Sequence, residues 1–163
     1  MDILLTPLRR ISVPRGDVFH AIKASAPGYA GFGEAYFTTV EFGAVKGWKR
    51  HREMTMNLIV PAGAVEFVVY GGEPELTAAV PNTGAPALDN TAVVPNSAKF
   101  RSITLSPESD ETYQRLTVPP GLWMAFAGRG EGLNLVMNFA SIEHRPDESD
   151  NRPLDSIAWT WDR

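Results

Sequence analysis

The stretch "NLIVPAGAVEFVVY", Asn57 to Tyr70, sets a short apolar run beside an alternating one, with a proline-glycine break between them. "NLIV" (Asn57 to Val60) reads as a buried strand. In "AVEFVVY" (Ala64 to Tyr70), Val65, Phe67 and Val69 fall on every second residue and so share one face, the period of a strand rather than a helix. The intervening "PAG" predicts a tight turn between paired strands.

The same texture continues in both directions. "EAYFTTVEF" (Glu34 to Phe42) is poor in helix formers and loosely alternating, and "RSITLS", "RLTVPPG", "LWMAF" and "GLNLVMNF" repeat the pattern downstream. In the last of these, Leu133, Leu135, Met137 and Phe139 share a face against Asn134, Val136 and Asn138. Thirteen prolines and fourteen glycines punctuate the chain, so short strands separated by turns predict an all-β sandwich or barrel. "SPESDETYQR" can hold one helical turn, with Ser106 as cap and Pro107 at the first helical position. The polar stretch from Gly71 to Phe100 is too long for a hairpin loop and predicts an excursion with one or two short edge strands. Near the end, Ile157, Trp159 and Trp161 alternate and need burial, which predicts a tail folded back on the barrel.

With 163 residues, a single domain spanning 1–163 is expected, burying roughly 70% of the surface of its unfolded chain. Cysteine is absent, which removes disulfides, thiolate metal sites and a cysteine nucleophile, and fits a reducing compartment. The start "MDILLTPLRR" lacks the order of a secretory signal, and no apolar run approaches the roughly 20 residues of a membrane helix. A cytoplasmic protein without membrane contact is the expectation. The net charge of -4, with 19 acids against 15 lysines and arginines, argues against a nucleic-acid surface. An anionic ligand would need a local basic cluster, and "VKGWKRH" (Val45 to His51) supplies one.

Three stretches together carry a likeness: "VPRGDVF", "GAVKGWKRH", and "LTVPPGLWMAFAGRGEGLNLVMNF" followed by "DESDNRPLDSIAWTW". In order and spacing they resemble the dTDP-4-dehydrorhamnose 3,5-epimerase family, most of all its divergent branch with a Gly-Trp-His-Arg-His motif, from about Arg15 to Trp161. The resemblance implies a cupin-type jelly roll and a homodimer in which N-terminal strands pair across the subunit boundary. It also implies a nucleotide-sugar ligand, a dTDP-linked 4-keto-6-deoxyhexose, inverted at carbons next to the ketone. Such chemistry needs a base for an acidified C–H, a donor for the enolate oxygen and an acid on the opposite face. No metal or organic cofactor is implied, because the ketone itself acidifies its neighbours.

Measured against that family, the catalytic set is altered. Lys49 stands in the place of the base histidine. With an ordinary pKa of about 10.4, a lysine serves as base only if burial or neighbouring cations depress it strongly; otherwise it anchors anions. Met124 replaces a second pocket histidine and reads as apolar lining. Asn57 or Met56 falls near the family's pocket lysine, and Asn57 can donate a hydrogen bond to a ketone. His144 is the nearest candidate for the family's acid, a tyrosine, and Asp155 matches the carboxylate that orients the base, here with Lys49 as an available partner. Arg15 matches a phosphate-binding arginine, Phe19 an aromatic near the nucleotide, Lys46 a second phosphate ligand and Glu34 a glutamine that touches the nucleoside.

Lys49 or His51 is then the proton carrier of an epimerase or isomerase, with His144 and Asp155 as helpers. The alternative is a nucleotide-sugar-binding cupin without turnover that keeps Arg15, Lys46 and Lys49. A small metallocupin is the weakest reading, since His51 alone survives of the histidines such a site would use.

Overall fold

The computed structural model describes residues 2–73 and 99–161. The predicted excursion between Gly71 and Phe100 falls mostly outside the described residues. The strands are β1 (Leu4–Pro7), β2 (Arg10–Ile11), β3 (Val18–Phe19), β4 (Glu34–Thr39), β5 (Val45–His51) and β6 (Met56–Ala62). They continue as β7 (Val65–Tyr70), β8 (Phe100–Leu105), β9 (Gln114–Val118), β10 (Trp123–Gly128), β11 (Leu135–Ala140) and β12 (Ser149–Asn151). Short 3-10 turns cover Pro146–Glu148 and Leu154–Ser156.

Two five-stranded antiparallel sheets form, in the orders β1-β9-β6-β11-β4 and β12-β5-β10-β7-β8, with β2 and β3 as a separate hairpin. Consecutive strands alternate between the sheets from β4 to β7, and the later strands return in reverse order. This winding is the cupin-type jelly roll, as expected. It also corrects the reading of "PAG": β6 and β7 do not pair, because the turn carries the chain from one sheet to the other. Gly63 takes φ +77° in that turn, a conformation that favours glycine, and a Cβ there would overlap Leu133 and Asn134. A sheet-to-sheet turn and a hairpin turn use the same residues, so composition alone does not separate them.

Between the sheets lies one core, in which Met56, Leu58 and Val60 of β6 meet Val65, Phe67 and Val69 of β7. A second apolar cluster covers the outer face of the second sheet. Trp48, Val68, Trp123 and Ala125 point outward there and are closed over by Ile157, with Trp159 and Trp161 packed against them. The Trp48 indole N–H donates to the Leu154 carbonyl at 3.2 Å, tying the tail to β5.

Strand β11 turns its polar face inward. Asn134, Val136 and Asn138 are buried, whereas Leu133 is exposed and Met137 and Phe139 are half-buried on the outside. Buried amides are tolerated when fully hydrogen-bonded. Asn134 meets that condition by accepting from the backbone N–H of Ala64 and Gly130 and donating to the carbonyls of Val40 and Gly130. The segment after β8 is an extended turn rather than the expected helical one. Ser106 Oγ accepts from the Glu108 N–H, and the chain closes on itself at Ser109 and Thr112 before β9 begins.

Candidate active site

A cavity of about 270 Å³ opens between the two sheets, bounded by β4, β5, β6, β10, β11 and β12. Alternation along β5 decides which of its side chains reach it. Trp48 and Arg50 point away: Trp48 enters the outer cluster, and Arg50 lies over the Trp123 ring at 4.6 Å and pairs with Asp150 at 3.1 Å. Lys49 and His51 therefore point in, joined by Lys46 and Gly47. Gly47 has φ +146°, and a Cβ there would overlap Ala125 of β10. Any larger residue would push β5 and β10 apart at the wall of the cavity.

His51 is buried, and its Nδ1 lies 2.6 Å from Oε2 of Glu148, itself buried at the end of the 3-10 turn. The other carboxylate oxygen of Glu148 accepts from the backbone N–H groups of Arg52, Glu53 and Met54 at 3.1, 3.0 and 2.8 Å. Burial pushes the Glu148 carboxyl up, but the bonds from His51 and from the Glu53 and Met54 N–H groups outweigh it and bring it down to about 2. Burial lowers the His51 pKa, opposed by Glu148 and assisted by the charges of Lys49 and His144. An ionised Glu148 can only accept, so His51 carries its proton on Nδ1 and leaves Nε2 as an unprotonated acceptor on the cavity side.

Tyr36 of β4 is a further titratable group of the lining. Its hydroxyl oxygen accepts from Asn138 Nδ2 at 2.9 Å, while Asn138 Oδ1 accepts from the Asn57 N–H at 3.1 Å, which fixes the amide orientation. Burial raises the Tyr36 pKa, the Asn138 bond works against this, and the carboxylates of Glu34 and Glu148 add to it. The phenol is thus held protonated, with its O–H available to a ligand.

Of the residues singled out in the sequence, Lys46, Lys49, His51, Met56 and Met124 line the cavity. Lys49 sits between Met124 on β10 and Asn151 on β12, and among the described residues its ammonium has no hydrogen-bond or ion-pair partner. Lys46 Nζ donates to the Thr39 carbonyl at 2.7 Å. The rest lie elsewhere. Asp155 is exposed on the Leu154–Ser156 turn and does not meet Lys49, and His144 is exposed outside the lining. The carboxylate that enters the site is Glu148, and the residue it orients is His51. Asn57 is fully buried facing away from the cavity, because it neighbours the inward Met56 and Leu58; it donates to the Gly28 carbonyl and accepts from Thr117 Oγ1.

Glu34 sits on the inward register of β4 beyond the lining, with Oε1 buried and without a hydrogen-bond partner among the described residues. Arg15 is exposed at φ +73° in the β2–β3 turn, and Phe19 packs edge-on to Tyr113 at 5.3 Å, both away from the cavity. Glu148, Tyr36 and Asn138 were not anticipated. The polar alternation Glu34-Tyr36-Thr38 and the asparagines within an otherwise apolar β11 are the signals that could have pointed to two of them. Nothing in "PDES" marks Glu148 over its acidic neighbours. Among the described residues, no three histidine, aspartate or glutamate side chains converge as a metal site would need.

No family model matches the sequence, and no curated protein does. Solved structures do. A dTDP sugar isomerase from Desulfovibrio desulfuricans G20 is 32% identical over 98% of this chain and 90% of its own, with a TM-score of 0.77. A dTDP-4-dehydrorhamnose 3,5-epimerase from Bacillus anthracis, solved with TDP and PPi bound, has a TM-score of 0.71 at 16% identity, covering 98% of this chain and 85% of that one. The sugar 3,4-ketoisomerase QdtA from Thermoanaerobacterium thermosaccharolyticum, in complex with TDP, has a TM-score of 0.65 at 16% identity over 94% and 89% of the two chains. The more distant pair share the fold, and the Desulfovibrio relative carries the kinship in sequence. The chain belongs to the family of this dTDP sugar isomerase and shares its fold with dTDP-4-dehydrorhamnose 3,5-epimerases.

Proposed function

We propose that this protein moves a proton next to the ketone of a dTDP-linked 4-keto-6-deoxyhexose, as an epimerase or isomerase of deoxysugar biosynthesis. The observation that carries the reading is the His51–Glu148 pair, which presents Nε2 as a base in a cavity also lined by Tyr36 and Lys49. His51 Nε2 takes the C–H proton, the electron pair passes to the ketone oxygen, and the Lys49 ammonium stabilises the resulting enolate. Tyr36 returns a proton to carbon from its own side of the ring. Inversion results if that side is opposite His51, and solvent then resets both groups. Here Lys49 acts as a charge rather than as the base.

Lys46 and Lys49 provide positive charge for the diphosphate. Homodimer formation is part of the proposal, supported by the apolar outer face of the first sheet, where Phe32, Phe37 and Leu133 are each about 60% exposed. The absence of cysteine supports a cytoplasmic setting. The competing reading, ligand binding without turnover, rests on Lys49 in the family's histidine position. Incubation with a dTDP-4-keto-6-deoxyhexose in heavy water separates the two: deuterium at a carbon beside the ketone supports turnover. Binding of dTDP without any incorporation would leave only the binding protein.

A further inference from the structure

Strand β9 carries an arginine inside the protein. Arg115 is 1% exposed and points to the outer side of the first sheet, opposite to Leu116 and Val118, which enter the central core. Its guanidinium donates only to neutral acceptors: Nη1 to the Ala21 carbonyl at 3.4 Å, and Nη2 to Thr6 Oγ1 at 3.3 Å and the Pro27 carbonyl at 2.5 Å. Nε is buried with no partner among the described residues. No carboxylate pairs with Arg115 among the described residues, and burial alone pulls its pKa below the ordinary value. A buried cation with no counter-charge is costly to fold, so the site is electrostatically incomplete as it stands.

A cavity of about 190 Å³ lies against this side chain, with Thr6, Arg9, His20 and Lys23 among its walls and no aspartate or glutamate. Arg9 and Lys23 are exposed at its edge, and among the described residues neither makes an ion pair. In a chain of net charge -4, an acid-free pocket holding three such cations departs from the average surface. We infer that this cavity is an anion site, on the opposite side of the first sheet from the barrel cavity, which takes a small oxyanion of the phosphate type. Arg115 anchors the anion from below through its free N–H, and Arg9 and Lys23 close over it. The volume leaves room for a single phosphate.

The test is titration of the whole protein with inorganic phosphate at constant ionic strength, chloride replacing it in the control, read by calorimetry and phosphorus NMR line width. Saturable binding at one site per chain is expected. The double variant Arg9→Gln/Lys23→Gln, confined to exposed positions that do not threaten folding, should weaken it by roughly tenfold or more. Arg115→Gln should abolish it. Lys46→Gln/Lys49→Gln, in the barrel, should leave it unchanged, so the result stands apart from the sugar-isomerase reading. Absence of saturation beyond the chloride control, equal affinity in the Arg9/Lys23 variant, or loss of binding only in the barrel variant would each overturn the inference.

Discussion

His51 Nδ1 and Glu148 Oε2 are 2.6 Å apart and both side chains are buried, although the two residues lie far apart in sequence. The contact joins β5 to the 3-10 turn before β12, and it converts a histidine in a basic strand into an oriented imidazole facing the cavity. Three backbone donors hold the carboxylate from its other side, so Glu148 is anchored before it meets His51.

Removing that anchor should be expensive in stability as well as in chemistry. Glu148→Gln keeps the shape but loses the charge-assisted bonds, and a destabilisation of about 1–3 kcal/mol is expected from urea unfolding. The variant should also lower deuterium incorporation into substrate, because the His51 tautomer is no longer dictated. Unchanged stability and exchange would mean that the pair is incidental.

Acid should destabilise the fold in two overlapping stages. The His51 pKa is lower in the folded state than its ordinary 6.5, so the unfolded chain binds the proton first and stability falls as the pH drops below 6.5. Glu148 has a folded value of about 2 against an ordinary 4.5, so its contribution is whole above 4.5 and is lost as the pH falls from there toward 2. Urea midpoints at pH 7.5, 5.5, 4 and 3 follow both stages, and Glu148→Gln should flatten the lower one. A midpoint that rises on acidification would contradict these assignments.

Tyr36→Phe should preserve the fold and reduce the rate. Asn138 loses one of its contacts but keeps the Asn57 N–H, so the stability change should stay near 1 kcal/mol. Loss of a positioned proton donor should lower kcat by roughly 10²–10⁴-fold. Because the Tyr36 pKa is raised above 10.0, the wild-type pH-rate profile should show no loss of this donor below that pH.

Gly47→Ala tests the wall between β5 and β10. The residue sits at φ +146° with no room for a Cβ beside Ala125, so a loss of about 1–3 kcal/mol in urea unfolding is expected. A neutral effect would show that β5 can shift without cost.

The fold was legible because its strands are written in period-two patterns that do not depend on distant residues. Val65, Phe67 and Val69 announce an inward face by themselves. Which strands pair is a different matter: "PAG" serves a hairpin and a sheet-to-sheet turn equally well, and only the whole winding chooses. On β11 the more apolar face is the outer one, because Asn134 and Asn138 find complete hydrogen-bond sets inside. The site was half legible. Lys46, Lys49 and His51 stand out within one strand; alternation explains why Lys49 and His51 share the cavity, and Lys46 joins them past the register shift between Met124 and Phe126 of β10. Glu148 was not readable, since its role depends on a 3-10 turn bringing it to the end of β5, and several nearby acids in "PDESD" compete for it. Asp155 matched a family position but lies exposed on the next turn.

The central claim is that His51, rather than Lys49, carries the proton. The direct measurement is the rate of deuterium incorporation from heavy water into a dTDP-4-keto-6-deoxyhexose by the wild type, His51→Asn and Lys49→Gln. Incorporation should vanish in His51→Asn, while Lys49→Gln, which loses only enolate and phosphate stabilisation, should retain a slower rate with the same acid limb below pH 6.5. Undiminished exchange in His51→Asn together with complete loss in Lys49→Gln would contradict the account and make the lysine the base.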